Sequence, residues 1–182
     1  MDELSDHQIL KIFLQKGREE KAFGLILDKY QERIYWHIRK IVRHHEDTND
    51  VLQNTFIKIW KGLSSFRGDS ELYTWIYRIA TNEALSFLKQ KNSKTGRNVE
   101  DPDLSLAKSL QADEYFDGDE IQMKLQLAIE KLPDKQKLVF QMKYSGDMKY
   151  DQISEILQTS VGALKASFHH AVKKIKKELS ED

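Results

Sequence analysis

Apolar residues in this chain recur three and four positions apart almost from end to end. Phe23, Ile26, Leu27, Tyr30, Ile34, Ile38 and Ile41 trace one series, and Val51, Leu52, Phe56, Ile59 and Trp60 the next. A 3.6-residue period brings such positions to one face of an α-helix, whereas a half-buried strand needs strict alternation, and no convincing alternation is seen. Only two prolines interrupt the 182 residues. The fold class that follows is all-α. Helix-start signals agree with it. Ser5 followed by Gln8 reads as a capping box. Glu46, Asp47 and Asp50 fall where the third helix should begin, at the dipole end that favours acids. Pro133, in "EKLPDKQKLVF", can stop one helix and open the next.

The pattern lapses once. "NSKTGRNVEDPDLS" has no period, and residues 99–120 carry eight acidic side chains against the single Lys108. Such a stretch buries too little to order itself, so a flexible acidic linker is expected at 95–119. Two small helical domains flank it, at 1–94 and 120–182, each of a size that can fold. Cysteine is absent, which excludes a disulfide framework, a thiolate metal site and a cysteine nucleophile. No apolar run approaches the roughly 20 residues that span a bilayer. The acidic start "MDELSDHQIL" lacks a secretion-type apolar core, so a cytoplasmic protein is expected.

Net charge is zero, yet residues 161–177 hold five lysines and no acid. They lie in "YDQISEILQTSVGALKASFHHAVKKIKKEL", which has the form of a helix-turn-helix. Ile153, Ile156 and Leu157 stripe a short first helix, and Thr159 and Ser160 are good N-caps for a second. On that second helix Val161, Leu164, Phe168, Val172, Ile175 and Leu179 share one arc. Lys165, Ala166, His169, His170, Lys173 and Lys177 share the opposite one. This outer arc offers donors to phosphates and base edges, with Ala166 small enough for close approach to a groove. A solvated lysine face is the other reading of the same arc. The capped turn and the absence of acids favour DNA.

A second mixed surface lies in "RGDSELYTWIYRIATNEALSFLK". On a helix over 72–89, Leu72, Ile76, Ile79, Ala80, Ala84, Phe87 and Leu88 form an apolar side. Thr74, Arg78, Asn82, Ser86 and Lys89 form the other, and Trp75 falls with them. An indole beside a guanidinium and an amide is a platform on which a base can stack. Phe66 stands where it could close one end, and Lys89, Lys91, Lys94 and Arg97 could follow a backbone. Trp75 packed on a neighbouring helix, with Arg78 in a surface ion pair, is the plainer reading. Glu83, on the apolar arc, calls for a partner or an edge position.

Together these segments resemble a sigma factor of the extracytoplasmic-function (ECF) group in the sigma-70 family. "AFGLILDKYQERIYWHIRKIV" is similar to the opening helix of sigma domain 2. "EDTNDVLQNTFIKIWKGLSSF" is similar to the helix that docks on the clamp helices of RNA polymerase. "FRGDSELYTWIYRIATNEALSFLK" resembles the segment that melts and reads the minus-ten element. The helix-turn-helix, with "LPDKQKLVFQMKYSGDMK" before it, resembles sigma domain 4, the reader of the minus-thirty-five element. The resemblance implies Asp50, Gln53 and Phe56 for polymerase docking, and Phe56 fits a core position equally well. It implies Phe66, Arg78 and Asn82 around a base flipped from the non-template strand, Trp75 at the upstream edge of the melted region, and Lys89 beyond. In domain 4 it implies Lys165, Ser167, His169, His170 and Lys173 for groove and phosphate contacts. Core RNA polymerase, promoter DNA and an anti-sigma factor are the implied partners, with no cofactor and no metal.

Two departures stand out. Where many relatives carry Lys-Ser-Arg, this chain has Lys165, Ala166 and Ser167, without the arginine that reads guanine in two hydrogen bonds. Lys149 stands before Tyr150 in place of a Ser or Thr, which weakens the N-cap. A stand-alone helix-turn-helix regulator is the alternative function, but a sensing domain has no need of a second DNA-like face. A metal-dependent nuclease would have to use His44, His45, Glu46 and Asp47, and consecutive residues cannot all aim at one ion. No nucleophile, base and orienting group stand together, so an enzyme is not expected.

Overall fold

The computed structural model describes residues 4–94 and 120–180. Every regular element among them is helical. The chain divides into two compact units, Met1–Lys91 and Asn92–Asp182. The acidic stretch expected to be a linker, 95–119, lies outside the described residues, as does Arg97.

The first unit holds α1 (Asp6–Phe13), α2 (Glu19–Val42), α3 (His45–Leu63) and α4 (Leu72–Lys94). The expected box caps α1, with the Ser5 hydroxyl accepting from the Gln8 amide and the Gln8 side chain from the Ser5 amide. The Tyr30 hydroxyl donates to the Asp6 carboxylate at 2.7 Å, and Lys29 Nζ lies 3.0 Å from it, which ties α1 to α2. Burial first, and then the Asp6 carboxylate, pushes the Tyr30 phenol far above its usual range.

Along α2, Ala22, Ile26, Tyr30, Ile34 and Ile38 are all buried. Steps of four residues overshoot a full turn by about 40°, so this stripe winds round the helix and needs cover from several sides. Arg43 ends α2 in the left-handed region, at φ 74°, and His44 follows in extended conformation, so two residues turn the chain into α3. Acids at positions 46 and 47 occupy the first turn of α3, as expected.

Helix α4 departs from the single apolar arc expected of it. Thr74, Tyr77 and Thr81 are buried as well, so Thr74 does not belong to an exposed face. The helix packs on two sides, and hydroxyls are tolerated inside because a helical backbone can satisfy them. Thr81 Oγ1 donates to the Tyr77 carbonyl at 2.7 Å. Glu83 has the partner its position demanded, an ion pair with Lys58 on α3. Lys91, expected to follow a nucleic-acid backbone, pairs with Asp47 at the start of α3 instead.

The second unit contains α5 (Glu120–Glu130), α6 (Asp134–Phe140), a single π-helical turn (Gln141–Ser145), α7 (Tyr150–Leu157) and α8 (Val161–Ser180). Pro133 is the N-cap of α6, the role its place in the sequence suggested. Leu132, Phe140, Ala171 and Ile175 lie in the core with residues of α5, and Phe168 packs against them. The Phe140 and Phe168 rings are stacked at 5.7 Å. A Cβ on Gly146, after the π turn, would fall 2.8 Å from the Met142 carbonyl oxygen, so only glycine fits there. Leu179, expected on the apolar arc of α8, is exposed, because α8 runs on past the core it covers.

Candidate nucleic-acid and protein-docking sites

An apolar groove of about 580 Å³ runs between α2 and α3, lined by Phe23, Leu27, Leu52, Phe56, Ile57 and Trp60 with Glu20, Gln31, Asn49 and Gln53. Ile57 and Trp60 remain 43% and 40% exposed, while Phe56 is 8% exposed. The Phe23 ring meets Trp60 edge-on at 5.0 Å and Phe56 at 6.4 Å. Large apolar groups left open beside polar ones mark a surface that takes a partner. Of the three residues expected to dock, Gln53 and Phe56 line this groove, and Asp50 is exposed on the same helix. Phe56 belongs to both descriptions, groove wall and core. Trp60 and Ile57 were missed. The period had placed Trp60 among core positions, and a period does not reveal which arc a neighbour leaves bare.

The platform on α4 is assembled from two elements. Phe66, from the loop after α3, packs its ring 5.2 Å from that of Trp75. Trp75 and Arg78 are half-buried, and Asn82 and Lys89 are exposed. Positions 75, 78 and 82 are three and four apart, so their side chains neighbour one another on the helix surface. Trp75 also packs on α3 at Gly62. The plainer reading of Trp75 therefore holds in part, and the ring is a fixed wall rather than a loose one.

Behind this platform His37 is half-buried, with Nε2 2.8 Å from Thr81 Oγ1. The Thr81 hydroxyl spends its proton on the Tyr77 carbonyl, so it accepts from His37, whose proton must sit on Nε2. Burial, and then nearby Lys40, push the imidazole down to about 3. It is neutral at any ordinary pH.

In the second unit, α7 and α8 are joined by Gln158, Thr159 and Ser160, with Gln158 left-handed at φ 52°. Ser160 Oγ accepts from the Ala163 amide at 3.3 Å, confirming the expected cap. The weak cap at Lys149 is offset in part, because Gln152 Oε1 accepts from the Lys149 amide at 3.0 Å. Lys165, His169, His170 and Lys173 are exposed along α8 and Ser167 is half-buried. Lys165 Nζ lies 5.8 Å from the centre of the Tyr150 ring and Lys143 Nζ 5.4 Å from it. The sequence reading had no role for Lys143 or Tyr150. The candidate nuclease residues are engaged otherwise: His45 bonds to Tyr35 and Asn49, and Asp47 to Lys91.

The family description "Sigma-70 region 2" matches residues 26–94, which carry most of the groove and the platform, and "Sigma-70, region 4" matches 122–175, which carry most of the helix-turn-helix. The RNA polymerase sigma-H factor of Pseudomonas aeruginosa is 30% identical, over 91% of this chain and 90% of that protein. The chain is a sigma-70 family sigma factor of the ECF group. The ECF RNA polymerase sigma-E factor of Escherichia coli is 28% identical over 94% of this chain and 93% of its own. Among solved structures, the sigma factor RpoE of Bartonella quintana, in complex with the anti-sigma factor NepR, shares the fold at TM-score 0.67 and 18% identity, over 89% of this chain and 99% of that one. CnrH, in complex with the cytosolic domain of CnrY, does so at TM-score 0.67 and 20% identity, over 97% and 95%. A sigma factor binds core RNA polymerase and directs promoter-specific initiation, and this one carries the two regions that do so. No helix among the described residues is long and apolar enough to cross a membrane.

Proposed function

We propose a residue-level division of labour for this sigma factor. Its first domain, 1–94, docks on polymerase through α3, with Asp50 and Gln53 making polar contacts and Phe56, Ile57 and Trp60 supplying apolar ones. The same domain holds the unpaired minus-ten strand with Phe66, Trp75, Arg78, Asn82 and Lys89. A linker at 95–119 joins it to the second domain, 120–182. There Lys165, Ser167, His169, His170 and Lys173 contact the minus-thirty-five duplex. The observation that carries this reading is the layout of α3. Its groove faces one way, while the aromatic pair Phe66–Trp75 stands on the other side of the helix with Arg78 and Asn82 next in line on α4.

An anti-sigma factor is a further partner, in keeping with the complexes named for RpoE and CnrH. A polymerase subunit works where transcription does, in the cytoplasm, and its part is recognition rather than catalysis. The open apolar groove supports an obligate protein partner, since a stand-alone regulator would have no reason to leave Trp60 and Ile57 bare.

Co-elution with bacterial core RNA polymerase at moderate salt, with a primary sigma factor as competitor, tests the whole scheme. Stoichiometric, competable binding is expected, and it should weaken when Trp60 or Asp50 is replaced by alanine. Undiminished binding by both variants would remove α3 from the docking role.

A further inference from the structure

Gly62 sits in the last turn of α3 with ordinary helical backbone, a place where glycine weakens a helix and alanine would strengthen it. Its reason lies outside the helix. A methyl group on Gly62 would stand 3.0 Å from Cζ2 and 3.4 Å from Cη2 of Trp75. Carbon atoms pack best at about 3.5–4.0 Å, so the indole rests on bare backbone, and a methyl there would make the ring give by a few tenths of an ångström. The carbonyl of the same residue is also occupied. It accepts from the Ser65 amide at 3.0 Å and from the Ser65 hydroxyl at 2.9 Å. These bonds set the turn that delivers Phe66, whose own amide bonds to Leu63 at 3.2 Å. One residue therefore places both rings of the Phe66–Trp75 pair.

Its place on α3 matters as much. At about 100° per residue, Gly62 lies roughly 200° round the helix from the mean direction of the groove residues. The docking groove and the seat of Trp75 are back to back on one rigid rod. We infer that Gly62 is a positioning residue for promoter melting: its missing side chain seats the Trp75 indole, and its carbonyl holds the turn that presents Phe66. The inference rests on the reading of those two rings as walls of the melted-strand site, and adds the residue that sets their geometry. A preset wall loses less freedom on capturing a base than a mobile one.

The test uses holoenzyme reconstituted from the full chain and core polymerase. Its probe is a duplex promoter selected by run-off transcription from a randomised library with the wild-type protein, alongside the same fragment with a premelted bubble. Gly62→Ala should keep its thermal midpoint and bind polymerase within twofold of wild type. It should open the duplex at least tenfold more slowly, yet engage the premelted fragment within about threefold. With 5-fluorotryptophan incorporated, the ¹⁹F resonance assigned through Trp75→Phe should move. In a Trp75→Ala background, Gly62→Ala should add no more than twofold. If Trp75→Ala slows opening while Gly62→Ala does not, or if the two losses multiply in full, the role given to Gly62 is overturned and the reading of Trp75 survives. Normal opening by Trp75→Ala overturns both. Should Gly62→Ala alone not fold, Gly62→Ala with Trp75→Phe takes its place, since the smaller ring leaves room for a methyl. Folding and opening like Trp75→Phe alone supports the seat, and anything less rejects it.

Discussion

His37 Nε2 and Thr81 Oγ1 meet at 2.8 Å between α2 and α4, and the bond ties the rotation of α4 to the rest of its unit. The imidazole ring also lies 4.9 Å from Tyr77, whose own ring is 4.3 Å from Tyr73 and tilted 36° to it. A polar contact in an apolar layer specifies one register, because a slip would leave the His37 N–H without its acceptor.

The depressed titration of His37 has a pH consequence of definite sign. Its folded value is about 3, below the usual 6.5, so the unfolded chain binds the extra proton between those limits. Stability from this group is fully present above about pH 6.5 and declines as pH falls toward 3, by up to about 1.4 kcal/mol per pH unit. Histidine ¹⁵N NMR should show the Nε2–H tautomer and no titration of His37 between pH 5 and 8. A midpoint inside that window would contradict its placement.

Asn82→Ala should impair open-complex formation while leaving polymerase affinity within twofold. Asp50→Ala should do the reverse, weakening polymerase binding by about 1–2 kcal/mol, roughly tenfold. Permanganate footprinting of the melted strand and a polymerase titration separate the two. Equal loss of both activities in either variant would refute the division of roles.

In the second unit, Lys137 Nζ lies 2.9 Å from Glu130 Oε2 and 2.8 Å from the Glu130 carbonyl, and the side chains are 8% and 3% exposed. Glu130→Ala would strand a buried ammonium and should cost about 3–5 kcal/mol. Lys131→Ala breaks the exposed pair with Glu178 and should cost under about 1 kcal/mol. Urea denaturation followed by circular dichroism should show this contrast. Equal effects would mean that Lys137 is hydrated in solution.

Lys173→Ala should lower affinity for duplex promoter DNA by a similar factor for every sequence. It should also reduce the slope of log K against log salt by about 0.9, the loss of one phosphate contact. Ser160→Ala should cost about 1 kcal/mol of stability through the lost cap without altering that slope. An unchanged slope for Lys173→Ala would take this side chain off the phosphate backbone.

Much of this molecule was legible in its residues. The 3.6-residue period marked the helices, Ser5 and Ser160 announced two helix starts, and the position of Glu83 asked for a partner or an edge, of which Lys58 supplies the first. All of these are local signals, or consequences of one helix having one wet side. What stayed hidden depends on residues far apart in the chain. Period groups Trp60 with Ile59 and Phe56 alike, but Ile59 is buried and Trp60 is left in an open groove because α2 covers only part of α3. Thr74 read as a polar position, and it is buried, as Thr81 is, because α4 packs on two sides. No spacing rule links Lys143 and Lys165 to one tyrosine ring. Sequence alone determined that the chain is helical, where most helices begin, and which family it resembles, since propensity, capping and periodic burial act within a few residues. Tertiary structure alone decided which helical arcs stay bare, which charges are spent on each other, and that a side chain at Gly62 would crowd the Trp75 ring, since each depends on what another helix brings within a few ångströms.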